Sequence, residues 1–287
     1  MDKILKIGII GCGGIANGKH MPALKKVEGV EMVAFCDIIK ERAEKAAEEF
    51  GAPDAKVYED YKELLKDESI DVIHVCTPNR SHSFITIDSL EAGKHVMCEK
   101  PMAKTYEEAK AMCEAAERTG KKLSIGYQNR QTAENLYIKK CADDGELGEI
   151  YYGKALALRR RAVPTWGVFL NEFEQGGGPL IDIGTHALDM TLWVMNNYEP
   201  EMVVGQTFRK LSEGLTYNHF RLIVIHNPKS HIKSVCTDIN KRTAALLILV
   251  KENAPCGNCS ATDSQRFTVV NLTKFTVFCA FFNIEIF

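Results

Sequence analysis

The sequence predicts an α/β protein: a doubly wound parallel sheet over residues 1–125, followed by a mixed α+β domain over residues 126–287. Three observations carry this reading. Short apolar runs alternate with charged, alanine-rich amphipathic stretches through the first 125 residues, the pattern of a parallel sheet covered on both faces. A glycine-rich turn, Gly11-Cys12-Gly13-Gly14-Ile15-Ala16, joins the first run to the first helix. Glu99-Lys100-Pro101 stands where the run His95-Val96-Met97-Cys98 ends, at the carboxyl edge where such sheets hold their ligands.

Strands are expected at residues 4–10, 30–36, 72–76, 96–98 and 123–125, and helices at 40–50 and 105–119. Gly51, Gly93 and Gly120 follow helical stretches and are read as C-terminal caps. Residues 132–144 read as a helix ending at Gly145, and 149–160 alternate apolar and polar as a strand with one wetter face does. Gly176-Gly177-Gly178-Pro179 is a turn or loop before a helical run through Met195. From about residue 212 acidic residues become sparse. Residues 243–250 and 267–287 are rich in β-branched and aromatic side chains, so strands are expected there. Asn271, Lys274, Asn283 and Glu285 make the last run a poor membrane span.

With 287 residues, 45% of them hydrophobic and 26% charged, the chain can bury a sizeable core in two domains. A net charge of -2 provides no field for nucleic acid or an anionic membrane, so neither is an expected partner. Lys6 interrupts the first apolar run, which leads straight into the glycine turn and does not read as a signal peptide; a cytoplasmic location is expected. Of ten cysteines, Cys12, Cys36, Cys76 and Cys98 fall in or beside expected strands, as small buried hydrophobes do. Cys256-Gly257-Asn258-Cys259 is a lone CxxC with no second pair near it, either a zinc or redox pair or plain loop.

In the turn, Gly11 permits the tight bend, Gly13 lets a pyrophosphate approach the backbone, and Ala16 keeps the helix close to the sheet. Gly14 and Ile15 complete the stretch that leads to a helix N-terminus, whose N–H groups suit phosphates. Asp37 ends the second strand. Its carboxylate can accept from both ribose hydroxyls and would repel a 2′-phosphate, so NAD is favoured over NADP. Ile38 adds no compensating charge, although Lys40 and Arg42 lie nearby; a solvated strand-end acid is the other reading. Thr77-Pro78-Asn79 ends the strand expected at 72–76 and can line the cofactor groove. His82 begins the next helix, as a ligand contact or as a packing group.

Asp182 and His186 are four apart, so on a helix they share one face. A carboxylate beside an imidazole fixes its tautomer and raises its basicity, which suits a general base near neutral pH. A helix N-cap at Asp182 with a satisfied core histidine at His186 remains the alternative. No metal-ligand cluster accompanies them, so no metal is needed.

The glycine turn, Asp37, Thr77-Pro78-Asn79, Glu99-Lys100-Pro101 and GGGPLIDIGTHALD at 176–189 together resemble the glucose–fructose oxidoreductase/inositol dehydrogenase family (Gfo/Idh/MocA). The likeness runs from about Lys3 to Lys210, and the tail from about 212 does not match. It implies an N-terminal Rossmann domain, then an α+β domain with an open, mainly antiparallel sheet, often buried in a dimer, and a sugar, cyclitol or related polyol as substrate. By the same resemblance Lys100 hydrogen-bonds the reacting hydroxyl and Glu99 sits near the nicotinamide ribose. His186 accepts the proton, with Asp182 beside it. Gln128 and Arg130, in Tyr127-Gln128-Asn129-Arg130, face nicotinamide and substrate, and Trp166 closes over the site. The expectation is an NAD-dependent dehydrogenase acting on a secondary alcohol. An NAD-retaining glycosidase or sugar–sugar oxidoreductase, and a non-catalytic NAD-binding module with a defective second domain, are the alternatives. An incomplete sheet would leave edges that pair or aggregate, which leaves a homo-oligomer open.

Overall fold

The computed structural model describes residues 3–157, 167–178, 180–199, 202–208, 219–225, 244–249 and 282–286. Trp166, the Arg159-Arg160-Arg161 run, Pro179, Cys256-Gly257-Asn258-Cys259 and most of the segment from 212 lie outside the described residues.

Each apolar run of the first 126 residues forms a strand: β1 (Leu5–Ile10), β2 (Val30–Cys36), β4 (Val72–Val75), β5 (His95–Cys98) and β6 (Leu123–Ile125), joined by a short edge strand β3 (Lys56–Tyr58). They pair in parallel in the order β3-β2-β1-β4-β5-β6. Strand order reverses between β1 and β4, so the crevice of this sheet opens at their carboxyl ends. The period-2 pleat sorts neighbours to opposite faces. Ile7, Ile9 and Phe35 pack with Met21, Ala43 and Ala46, whereas Ile10, Ala34 and Cys36 pack with Leu64, Leu90 and Met112. Helices α1 (Met21–Leu24), α2 (Lys40–Phe50), α3 (Tyr61–Leu65), α4 (His82–Glu91) and α5 (Tyr106–Thr119) supply those partners.

Local chemistry sets the helix ends. Thr105 caps α5, and Glu108 reaches back to complete a capping box. Gly93 and Gly120 adopt left-handed backbone, at φ 79 and 66, as expected of C-terminal caps. Gly51 does not: its backbone is extended, at φ -70 and ψ 157. What the site needs there is space, since a Cβ would lie 2.5 Å from the Ala47 carbonyl oxygen and 2.7 Å from the Ala55 Cβ.

The second half contains α6 (Ala133–Asp143), β7 (Tyr152–Ala157), α7 (Glu172–Gln175), α8 (Thr185–Met195), β8 (Met202–Phe208), β9 (His219–Ile225), β10 (Ala244–Leu249) and β11 (Phe282–Ile286). Its sheet has the order β11-β7-β10-β9-β8; β9 and β10 run parallel and the other pairings are antiparallel. Helix α8 lies on β7, where small residues let it close in. A Cβ on Gly153 would stand 2.8 Å from the Met195 sulfur, and Ala155 and Ala187 are buried together.

The chain groups into two compact units, Met1–Gly126 with Phe173–Gly176, and Tyr127–Glu172 with Gly177–Phe287. Within the first unit the 173–176 strap is held by side chains of the cofactor half. The Asn79 amide donates to the Gln175 carbonyl at 3.0 Å, Lys104 Nζ to the Phe173 carbonyl at 2.7 Å, and Arg80 Nε to both Glu174 carboxylate oxygens at 3.2 Å.

Candidate active site

The glycine turn follows β1 directly. Gly11 has φ 91, and its amide donates to the Cys36 carbonyl at 2.8 Å. Ala16, fully buried, opens a wide π-helical turn (Ala16–His20) before α1, where a regular helix is expected from the sequence. Pro22, just beyond that turn at the start of α1, has no N–H to give a regular i→i−4 bond. Asn17 Nδ2 caps the Cys12 and Gly13 carbonyls at 2.7 and 3.0 Å. A Cβ on Gly13 or Gly14 would meet no atom within 4 Å, so the chain leaves room in front of the turn that a phosphate can occupy.

Asp37 is buried rather than solvated. One carboxylate oxygen accepts the Cys12 amide and the other the Ile39 amide, both at 2.9 Å, so the acid pins the turn to the end of β2. Each oxygen keeps a second lone pair for a ribose hydroxyl. Beside it, burial and the nearby Asp37 charge push the Cys12 and Cys36 thiols up to about 12, which keeps them protonated as packing groups.

At the end of β4, the Thr77 hydroxyl is buried and has no partner among the described residues. An orphaned hydroxyl here, the open face of Gly13 and the lone pairs of Asp37 together fit a dinucleotide. Asn79, at 8% exposure, holds the strap through its amide. His82 is fully enclosed at the start of α4, with Nδ1 2.7 Å from the Pro101 carbonyl and Nε2 2.9 Å from the Thr77 carbonyl, partners that suit a packing group. Burial pushes its pKa down.

Glu99 and Lys100 leave β5 at the same edge, and the Lys100–Pro101 peptide is cis. Glu99 belongs to a buried cluster that the sequence reading missed. His20 Nε2 lies 2.8 Å from Glu99 Oε1, His20 Nδ1 lies 3.0 Å from His74 Nδ1, and Glu99 Oε2 accepts the Lys100 amide at 3.0 Å. A signal existed: His74 is the one polar residue in the Val72–Val75 strand. Burial alone would raise the Glu99 carboxyl, but hydrogen bonds from His20 and the Lys100 amide outweigh it and hold the acid below its usual range. Burial, with His20 adding to it, pushes His74 down to about 4.

That shift has a consequence for stability. The unfolded chain protonates His74 near its ordinary 6.5, whereas the folded chain resists until about pH 4, so folding loses ground as pH falls through this interval. At about 1.4 kcal/mol per pH unit the loss is about 3 kcal/mol. Urea unfolding of wild type and His74→Gln between pH 7 and 4 checks this: the variant's stability should fall less steeply, and parallel curves would remove His74 as the cause.

In the second unit, Asp182 lies in a π-helical turn (Leu180–Gly184) and His186 in the first turn of α8; both are 7% exposed. The residue capping α8 is Gly184, with no side-chain cap, so Asp182 is not that N-cap. Tyr127 hydroxyl bonds Thr185 at 2.9 Å and its ring stands edge-on to His186, centroids 6.2 Å apart. Gln128 is exposed in the turn Gln128–Gln131 after β6. The Arg130 guanidinium, expected to meet substrate, makes a forked ion pair with Asp189, its Nε at 2.9 Å, and stacks near the Tyr127 and Trp193 rings. Among the described residues no helix is long and apolar enough to cross a membrane.

The family described as an oxidoreductase family with an NAD-binding Rossmann fold matches residues 5–127, and its C-terminal domain matches residues 135–246. The second match runs past Lys210, where the motif likeness stopped. The chain is 42% identical over 207 residues to D-glucoside 3-dehydrogenase of Escherichia coli, covering 72% of this chain and 58% of that protein. It is 36% identical over 193 residues to inositol 2-dehydrogenase of Salmonella typhimurium, covering 67% and 55%. Aldose-aldose oxidoreductase from Caulobacter crescentus, solved with glycerol, matches with a TM-score of 0.69 at 27% identity, over 86% of this chain and 71% of that one. The chain thus spans a little over half the length of the curated relatives it matches. On the two domain matches and these identities, it belongs to the Gfo/Idh/MocA family of NAD-binding oxidoreductases.

Proposed function

We propose that the protein is an NAD-dependent dehydrogenase acting on a secondary alcohol of a sugar, cyclitol or related polyol. One observation carries the reading. Lys100 leaves the carboxyl edge of the cofactor sheet with its amide fixed by Glu99, beside a turn and an acid shaped for a dinucleotide. NAD, when bound, supplies the hydride acceptor. Lys100 donates a hydrogen bond to the hydroxyl oxygen and favours the developing alkoxide. His186 takes the hydroxyl proton, and Asp182, four residues earlier, orients the base. The carbon–hydrogen bond then releases its electron pair as hydride while the C–O bond becomes a carbonyl. Asp37 selects NAD, because its buried carboxylate repels a 2′-phosphate.

The likeness to an aldose-aldose oxidoreductase favours a second reading, in which NAD stays bound and is re-reduced and re-oxidised within one cycle. NADH formation at 340 nm, with inositols, glucosides, aldoses and sugar nucleotides as substrates, separates the two. Steady NADH release identifies a dehydrogenase and its substrate class. A single burst, with NAD co-purifying, identifies the closed cycle. No oxidation of any substrate, with NAD still bound, overturns both.

A further inference from the structure

The proposed chemistry needs Lys100 aimed, and the cluster behind it shows how. We propose that His20 is a positioning residue for Lys100, acting through the Glu99 carboxylate. Glu99 is the link: one oxygen faces His20 Nε2 at 2.8 Å and the other accepts the Lys100 amide at 3.0 Å. A carboxylate only accepts, so His20 Nε2 carries a proton. Its Nδ1 shares a second hydrogen bond with His74 Nδ1 at 3.0 Å. The ring is thereby fixed at both nitrogens, from β4 on one side and β5 on the other.

Gly126, at the end of β6, leaves the carboxylate its place: a Cβ there would stand 3.3 Å from Glu99 Oε1 and 3.4 Å from its Cδ. On the far side of Lys100, His82 holds the Pro101 carbonyl at 2.7 Å. The backbone on both sides of Lys100 is therefore gripped by buried imidazoles, one of them through Glu99. A carboxylate and two imidazoles placed together under a sheet edge are a weak source of stability, because desolvation opposes their attraction. They are a strong source of geometry. An error of about 1 Å in a positioned group can reduce turnover by about a hundredfold.

The inference rests on the proposed function for what Lys100 does, but the positioning itself is measurable without turnover. Full-length wild type, His20→Ala, His20→Gln, Glu99→Gln, Lys100→Ala and the double variant His20→Ala/Lys100→Ala would be compared by two readouts. The first is kcat and the KM for NAD on the best polyol. The second is the rate at which an N-hydroxysuccinimide ester acylates Lys100, read by peptide mass spectrometry against exposed Lys45. His20→Ala should lower kcat by about tenfold or more while the KM for NAD stays within about twofold. It should also shift Lys100 acylation by about threefold or more relative to Lys45. Glutamine, which can still donate to Glu99, should recover most of both losses, and the double variant should be no slower than Lys100→Ala.

Should wild type oxidise no substrate, the proposed function fails and the acylation rates still decide the inference. Should His20→Ala not fold, the near-isosteric Glu99→Gln decides, since its amide cannot accept from both the imidazole and the Lys100 amide. Lys100 acylation unchanged in either variant, or glutamine no better than alanine at position 20, overturns it.

Discussion

His186→Ala should lower kcat on the preferred polyol by about a hundredfold to ten-thousandfold, the usual contribution of a positioned general base. Lys100→Ala should cost about as much as losing one oxyanion donor, a hundredfold to a thousandfold. Neither change should prevent folding. His186 sits in the first turn of α8, where alanine is a good helix former, and the Lys100 amide keeps its bond to Glu99 whatever side chain follows. Fluorescence titration with NADH serves as the control and should give nearly the wild-type affinity for His186→Ala. If His186 is the base, the acid limb of the pH–rate profile disappears in the variant, and added imidazole restores part of the rate at high pH. A variant with full turnover and an unchanged profile would exclude His186 from the reaction.

Gly11→Ala should be the most damaging single substitution in the cofactor half. Its Cβ would lie 2.8 Å from the carbonyl carbon and oxygen of Cys76 and 2.9 Å from the Thr77 amide nitrogen. Those are backbone atoms of the neighbouring strand end, so they cannot rotate aside. The φ of 91 adds strain of about 1–2 kcal/mol for any residue with a Cβ. With overpacking of about 1–3 kcal/mol, the sum reaches about 3 kcal/mol or more. Gly13→Ala is the informative partner, because its Cβ would touch nothing in the protein. It should melt within a few degrees of wild type yet bind NAD about tenfold more weakly, as the added methyl takes the room meant for a phosphate. Melting curves and NAD titrations on both variants check this, and the reverse ranking in stability would contradict it.

Much of the first unit was legible because its inner strands are mostly apolar runs and a helix such as α5 carries a capping box at one end and a glycine at the other. Residues 30–36, 40–50 and 123–125 fold with the limits their pattern indicates. The edge strand Lys56–Tyr58 has three residues and only partly buried side chains, too little to announce a period. The wide turn at Ala16–His20 was equally hidden, since a hydrogen-bond spacing of five leaves no composition signature. At the site, glycines, Asp37, Glu99 and Lys100 were readable from motif and position. His20 and His74 were not, because they are brought together from segments 54 residues apart by the β1–β4 crossover. His82 shows the opposite limit. Its place at a helix start left ligand contact and packing both open, and only the pair of carbonyl partners adds weight to packing.

The strap at 173–176 makes the cofactor half discontinuous in the gene. A fragment ending at Gly126 would retain the whole parallel sheet but lose the carbonyl that takes the Asn79 amide, the carboxylate facing Arg80 and the carbonyl facing Lys104. Asn79 would then have a buried amide to re-hydrate at the very lip of the crevice. Exchange of this half between relatives therefore has to transfer two pieces of sequence together, and a single crossover near residue 126 would join an edge from one parent to a fastening from another.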